Sequence, residues 1–257
     1  MHIINKYSKE AAPCLVLDAG NLLFPEQVIS PQARSQAEAT AMAITRAFTA
    51  STGAITGIGP YDLAAGLSFF AKTAAKQKDN YVCANLIERQ SNAPFFKPYV
   101  FRSIGKLRVA VIGLAHLTDP AKKEIVEKPW QEVLPPLLSR IRGADMTILL
   151  SSYDEEENKK IARGSDAIHI LFQAGTPARK KPTLINNTLL CRTPTKGQFQ
   201  GLLTVHWDSS GKWKEDAEDE KAKARAASEG STFSHRLIPL SAGVGKDKKT
   251  EMLLKSR

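Results

Sequence analysis

The stretch Cys14-Leu-Val-Leu-Asp-Ala-Gly-Asn-Leu-Leu-Phe24 begins as an apolar run and breaks at Asp18 into a polar, glycine-containing loop. A short apolar run bounded by turn residues reads as a buried strand. Ser30-Pro31 then has the form of a helix start, a capping residue followed by proline at the first helical position. Residues 32–50 carry Ala37, Ala41, Ile44 and Phe48 at spacings of three and four, the stripe of a helix lying on a sheet. A second strand is expected over 54–58, with Gly57, Gly59 and Pro60 in its loop and Asp62 capping a helix over 63–76.

The same alternation continues downstream. Residues 81–84 read as a strand. Residues 99–104 and 107–113 read as a hairpin around the tight Gly105-Lys106 turn. A helix is expected over 130–142, kinked or split by Pro135-Pro136. Strands over 145–150 and 166–172 flank a helix over 154–163. Further strands follow over 183–192 and 199–207. Beyond Trp207 the chain is denser in charge, with a helix expected over 215–229 and a strand over 233–240. The order predicts an α/β domain with a mixed sheet over 1–208 and a charged helix-and-strand extension over 209–257.

Composition narrows the function. The chain has 257 residues, 42% of them hydrophobic, and 36 Lys plus Arg against 26 Asp plus Glu give a net charge of +10. Neither a disordered chain nor a disulfide miniprotein has this composition. No apolar run approaches the roughly 20 residues that span a bilayer, and residues 1–13 contain no apolar signal segment. The basic residues are spread along the chain with no concentrated stripe and no interleaved aromatics, so nucleic acid is not an expected partner.

The common catalytic signatures are missing from the string. Gly57-Ile-Gly59 is followed by Pro60, so no GxGxxG loop forms, and GxxxxGK[ST] and GxSxG do not occur. Cys14, Cys83 and Cys191 form no CxxC pair; Cys14 and Cys83 lie in apolar runs and read as buried structural thiols. His2, His116, His169, His206 and His235 show no HxH or HxxxH spacing, so a structural or surface role is expected for each. His116 follows a strand end, where α/β proteins bind ligands. Ser151-Ser152 also follows a strand, and reads as local backbone capping.

Taken as a set, six blocks carry a family resemblance. Residues 15–24 resemble the "LDAGDxF" block of the 5′-nucleotidase branch of the calcineurin-like metallophosphoesterases, whose members include selenoprotein relatives. Gly59-Pro-Tyr-Asp-Leu-Ala-Ala-Gly66 resembles "GYDAxxxGNHEFD", and Tyr81-Val-Cys-Ala-Asn-Leu86 is similar to "xxxANI". Lys106-Leu-Arg-Val-Ala-Val-Ile-Gly-Leu114 looks like "GxKVGVIGL", residues 147–152 like "DVVILLSH", and residues 164–170 like the start of "GVDLIIGGHTH". The resemblance implies a four-layer αββα sandwich, a role in nucleotide catabolism, a periplasmic location, and two divalent metals (Mn, Zn or Mg) that clamp a phosphoryl group.

Carried over residue by residue, the resemblance implies a degenerate site. The bridging aspartate falls on Asn21, the ligand asparagine on Leu67 and the catalytic histidine on Ser68. The "LSH" histidine falls on Ser152, or on Tyr153 with a shift of one, and the "GGHTH" histidines on Phe172 and Ala174. The family's first strand, with its DxH motif, has no counterpart before Cys14, so that strand is expected to be missing or replaced. A longer chain, with any export segment upstream of Met1, is the companion expectation. The expected protein is a non-hydrolytic binding or redox-associated protein that holds no metal. Its pocket would draw on Asn21, Ser68, His116, Asp119, Ser152, Tyr153 and Gln173, and take a small-molecule ligand or a partner protein. The alternative is an active phosphoester hydrolase using atypical ligands such as Asn21, His116 and Asp119.

Overall fold

The computed structural model describes residues 2–10, 13–118, 124–176, 181–218, 230–241, 243–245 and 247–255. In chain order the elements are α1 (His2–Glu10), β1 (Leu17–Asp18), α2 (Arg34–Thr52), β2 (Ile55–Gly57), α3 (Leu67–Ala74), β3 (Tyr81–Val82), β4 (Leu86–Glu88), β5 (Tyr99–Ile104) and β6 (Leu107–Leu114). They continue with β7 (Ile125–Glu127), α4 (Trp130–Arg140), β8 (Met146–Ser151), α5 (Glu155–Gly164), β9 (Ile170–Thr176), β10 (Thr183–Ile185) and β11 (Thr188–Pro194). The last are β12 (Phe199–His206), β13 (Trp213–Glu218), β14 (Ser231–Pro239) and α6 (Lys248–Lys255).

Two sheets make the centre. One has the order β1-β2-β3, all parallel; the other runs β10-β11-β9-β8-β6-β5, parallel in its middle with antiparallel edges. They pack face to face through Ile55 and Val82 on one side and Val109, Val111, Ile148 and Leu150 on the other. β8 is buried along its whole length, as a parallel strand covered on both faces must be. The sheets approach so closely that a Cβ on Gly113 would lie 2.0 Å from the Val82 carbonyl oxygen.

Helices close the outer faces. Ala41 of α2 and Phe70 of α3 pack with Tyr81 on the first sheet. Leu134 and Leu137 of α4 and Ile161 of α5 pack against Ile112, Leu149 and Leu171 of the second. The layers are therefore α-β-β-α. A third sheet, β12-β14-β13, feeds Leu203, Trp207, Trp213 and Phe233 into the inter-sheet core. β12 and β14 pair antiparallel from Phe199↔Pro239 to His206↔Thr232, so residues on both sides of position 208 share one sheet. Among the described residues no helix is long and apolar enough to cross a membrane.

Local expectations fail where long-range pairing decides. Residues 183–192 are two antiparallel strands, because Asn186 takes φ of 53° and turns the chain. Residues 213–218, whose end was expected to be helical, form a strand beside β14; positions 219–229 lie outside the described residues. α4 runs unbroken through Pro135 and Pro136, which face solvent while Leu134 and Leu137 are buried. The polar N-terminus forms α1, tied down by Asn5 Nδ2 donating to Asp247 (2.8 Å) and by Arg236 over the Tyr7 ring. Cys14 is exposed rather than buried, because β1 begins only at Leu17.

Candidate functional site at the strand carboxyl ends

The carboxyl ends of β1, β2, β6, β8 and β9 bring the candidate loops to one face of the sandwich. The loops after β1 and β2 are bound to each other. The Asp62 carboxylate accepts four backbone N–H groups: Oδ2 from Asn21 (2.7 Å) and Gly59 (2.9 Å), Oδ1 from Leu22 (2.8 Å) and Leu23 (3.0 Å). The Asn21 side chain joins the same knot, its Oδ1 accepting Tyr61 N–H at 3.0 Å while its backbone sits at φ of 64°. A Cβ on Gly59 would lie 2.2 Å from that Oδ1, so only glycine fits.

Asp18 lies beside Asp62 and has one backbone donor, Gly20 N–H at 2.8 Å. Burial pushes its carboxyl up to about 7, and the neighbouring Asp62 charge adds to the rise. Burial raises Asp62 as well, against the four N–H donors that pull its carboxyl down.

The loops after β6 and β8 form a second cluster. His116 is exposed, stacks on Tyr153 at 5.1 Å and 19°, and places Nδ1 3.1 Å from Glu127 Oε1. The Tyr153 hydroxyl donates to the same Oε1 at 2.7 Å, and Leu117 N–H to Oε2 at 2.6 Å. Asn85, fully buried, donates to Ala115 O (2.7 Å) and Tyr153 Oη (3.2 Å) and accepts Ala115 N–H (2.8 Å). Desolvation and the Glu127 carboxylate push the Tyr153 phenol up, so it stays a donor. Ser152 Oγ accepts His116 N–H at 2.9 Å, and Ser151 Oγ accepts Tyr153 N–H at 3.2 Å, the capping role expected of both serines.

The other candidate positions do not join these clusters. Leu67 begins α3 and packs against the helix-side core, and Ser68 is exposed. Phe172 packs into the inter-sheet core and Ala174 is half-buried. Gln173 is buried on β9 beside Arg192 of β11, whose guanidinium holds Glu155 (2.9 Å) and Thr183 Oγ1 (2.8 Å). Asp119 lies outside the described residues. Sequence reasoning missed Glu127, Arg192 and the two-carboxylate knot. Glu127 stands on a three-residue strand with no periodic signal, and Asp62 was legible only as a helix cap.

The overall architecture now bears comparison with solved proteins. The chain is similar to a sulfate thiohydrolase SoxB from Thermus thermophilus (TM-score 0.74, 17% identity, 99% of this chain and 45% of that one). It is similar to a 5′-nucleotidase precursor from the same organism (TM-score 0.67, 18% identity, 98% and 50%). It is also similar to the calcineurin-like phosphoesterase YfkN from Bacillus subtilis (TM-score 0.68, 14% identity, 98% and 85%). The fold is that of the calcineurin-like metallophosphoesterases. No protein-family model matches the sequence, and no curated protein matches it either. The chain spans about half the length of the thiohydrolase and of the nucleotidase.

A metallophosphoesterase centre requires a convergent set of carboxylate, amide and imidazole ligands around two cations. The candidate positions among the described residues do not supply that set. Among the described residues no three His, Cys, Asp or Glu side chains gather where a metal could be held. The Asn21 oxygen already accepts an N–H, Asp62 is saturated by four, and Leu67 and Phe172 offer apolar carbon. His116 offers a single imidazole, and its Nδ1 is engaged by Glu127.

Proposed function

We propose that this chain is a metallophosphoesterase-fold protein without two-metal phosphoryl chemistry, whose strand-end face serves binding of a small molecule or a partner protein. The observation that carries the reading is the Asp62 knot. Where the loops after β1 and β2 meet, the backbone N–H groups converge on an internal carboxylate, and the nearby Asn21 amide oxygen accepts Tyr61 N–H in the same network. Those loops are held by the protein's own hydrogen bonds and need no cation to order them. We extend the reading to a periplasmic site of action, which the similarity to a 5′-nucleotidase precursor supports.

The test is elemental analysis of the purified chain beside a bis-p-nitrophenyl phosphate assay with added Mn²⁺. The expected result is under a tenth of an equivalent of bound divalent metal and no turnover above buffer. Two equivalents of metal with turnover would overturn the proposal in favour of a hydrolase with atypical ligands.

A further inference from the structure

We propose that His169 is an acid-sensitive latch, which releases the end of the third sheet, residues 207–213, from the amino ends of β8 and β9. This seam lies at the opposite end of the strands from the candidate site, so the inference does not depend on the function proposed there. The imidazole Nδ1 accepts the Thr147 backbone N–H at 2.8 Å. A ring nitrogen that accepts a hydrogen bond holds no proton, so the neutral ring carries its hydrogen on Nε2. A proton added to Nδ1 would set two donors against each other, and the ring would have to leave Thr147.

The segment to be released encloses that ring. Trp207 packs against it with centroids 4.8 Å apart and planes at 68°. On the Nε2 side, a Cβ on Gly211 would lie 3.9 Å away, in ordinary van der Waals contact. Turning the imidazole away from Thr147 therefore displaces the chain that covers it. The same chain is fastened on either side of the ring. Trp207 Nε1 donates to Asp145 O (3.0 Å) and Trp213 Nε1 to His169 O (2.9 Å). Asn187 Nδ2 donates to Gly211 O (2.8 Å), and its Oδ1 accepts Trp213 N–H (3.2 Å).

The charged groups facing the imidazole are Lys212, from the turn between β12 and β13, and Asp166, from the segment before β9. They pair with each other at 3.0 Å, and Lys212 holds the Asp166 carboxyl below the usual carboxylate range. Asp145 and Asp208 also border the seam; their carboxylates accept Arg108 N–H (2.6 Å) and Ser210 N–H (2.9 Å).

Desolvation, and after it the Lys212 ammonium, bring the enclosed imidazole down to about 4 from 6.5. The closed seam keeps its full stability above pH 6.5 and loses it as pH falls toward 4, because the opened ring binds the proton more tightly. Between pH 8 and pH 5 those two values raise the opening constant about thirtyfold.

Hydrogen exchange followed by NMR on the full chain tests the latch, with opening constants corrected for intrinsic exchange. The Thr147 backbone N–H and the Trp213 indole N–H should show the thirtyfold rise between pH 8 and pH 5. At pH 5 both should be at least tenfold less protected than Leu149 N–H, in the buried middle of β8, which reports opening of the whole core. His169→Asn offers Thr147 an oxygen that does not titrate, and should cut the rise to under threefold. Should that variant not fold, ¹⁵N spectra of the histidine-labelled native chain decide: His169 should carry its proton on Nε2 at pH 7 and titrate below pH 5. Equal protection of Thr147, Trp213 and Leu149 at pH 5 overturns the proposal. So does a full thirtyfold rise in a folded His169→Asn chain, an Nδ1–H ring at pH 7, or an imidazole that titrates at pH 5 or above.

Discussion

Replacing Asp18 by Asn should make the protein more stable at neutral pH and leave it little changed in acid. The Asp18 carboxyl titrates at about 7 in the fold against 3.8 as the ordinary value. Between those values the folded state holds a proton that the unfolded state has released, so stability falls as pH rises from about 4 to about 7. A shift of about three units corresponds to about 4 kcal/mol at 1.36 kcal/mol per unit. Asp18 keeps part of its surface in water, so about 2 kcal/mol is the working magnitude.

His169 works against it in nearly the same window. Its Nδ1 accepts Thr147 N–H at 2.8 Å, and burial lowers the imidazole to about 4 from 6.5. There the unfolded state binds the extra proton, so stability rises with pH between about 4 and 6.5. The two slopes offset each other in the native protein. Asp18→Asn removes one and exposes the other. Urea unfolding followed by tryptophan fluorescence at pH 4, 5.5, 7 and 8 reads this directly, since Trp207 and Trp213 sit in the interlocked aromatic cluster beside Phe233. The variant's stability relative to native should rise by about 2 kcal/mol between pH 4 and pH 8, whatever constant offset the amide introduces. A difference that is the same at both ends refutes the buried-proton assignment.

Other outcomes follow from the same geometry. Asp62→Asn places an amide NH₂ among four backbone donors and should cost about 3 kcal/mol or more in urea unfolding. Gly59→Ala drives a methyl into the Asn21 amide and should cost on the order of 3 kcal/mol, whereas Gly53→Ala meets nothing within 4 Å and should cost only the strain of its left-handed backbone, about 1 kcal/mol. Of the three thiols only Cys14 should react with a disulfide reagent in the folded state; burial pushes Cys83 up to about 12, and Cys191 is buried too, so both should wait for unfolding.

The alternation of apolar strands and striped helices was enough, by itself, to determine the α/β class and the hairpin at Gly105-Lys106; the four layers came with the resemblance of the six blocks. The strands and helices follow from periods that a few neighbouring residues repeat, and burial on a sheet selects those periods whatever the partner. The structural role of His169 was legible in the same way, from its place inside an apolar strand. Tertiary structure alone decided the rest. The split of 183–192 into two strands turned on one backbone angle at Asn186, and the strand at 213–218 on the presence of β14, which lies beyond it in the chain. Glu127 meets His116 and Tyr153, and Asp62 meets Asn21 through Leu23, only because loops 10 to 41 residues apart are delivered to one face. No local pattern encodes such meetings: hydrogen bonds between loop ends depend on where the packed sheets place those ends, and that placement is a property of the whole core.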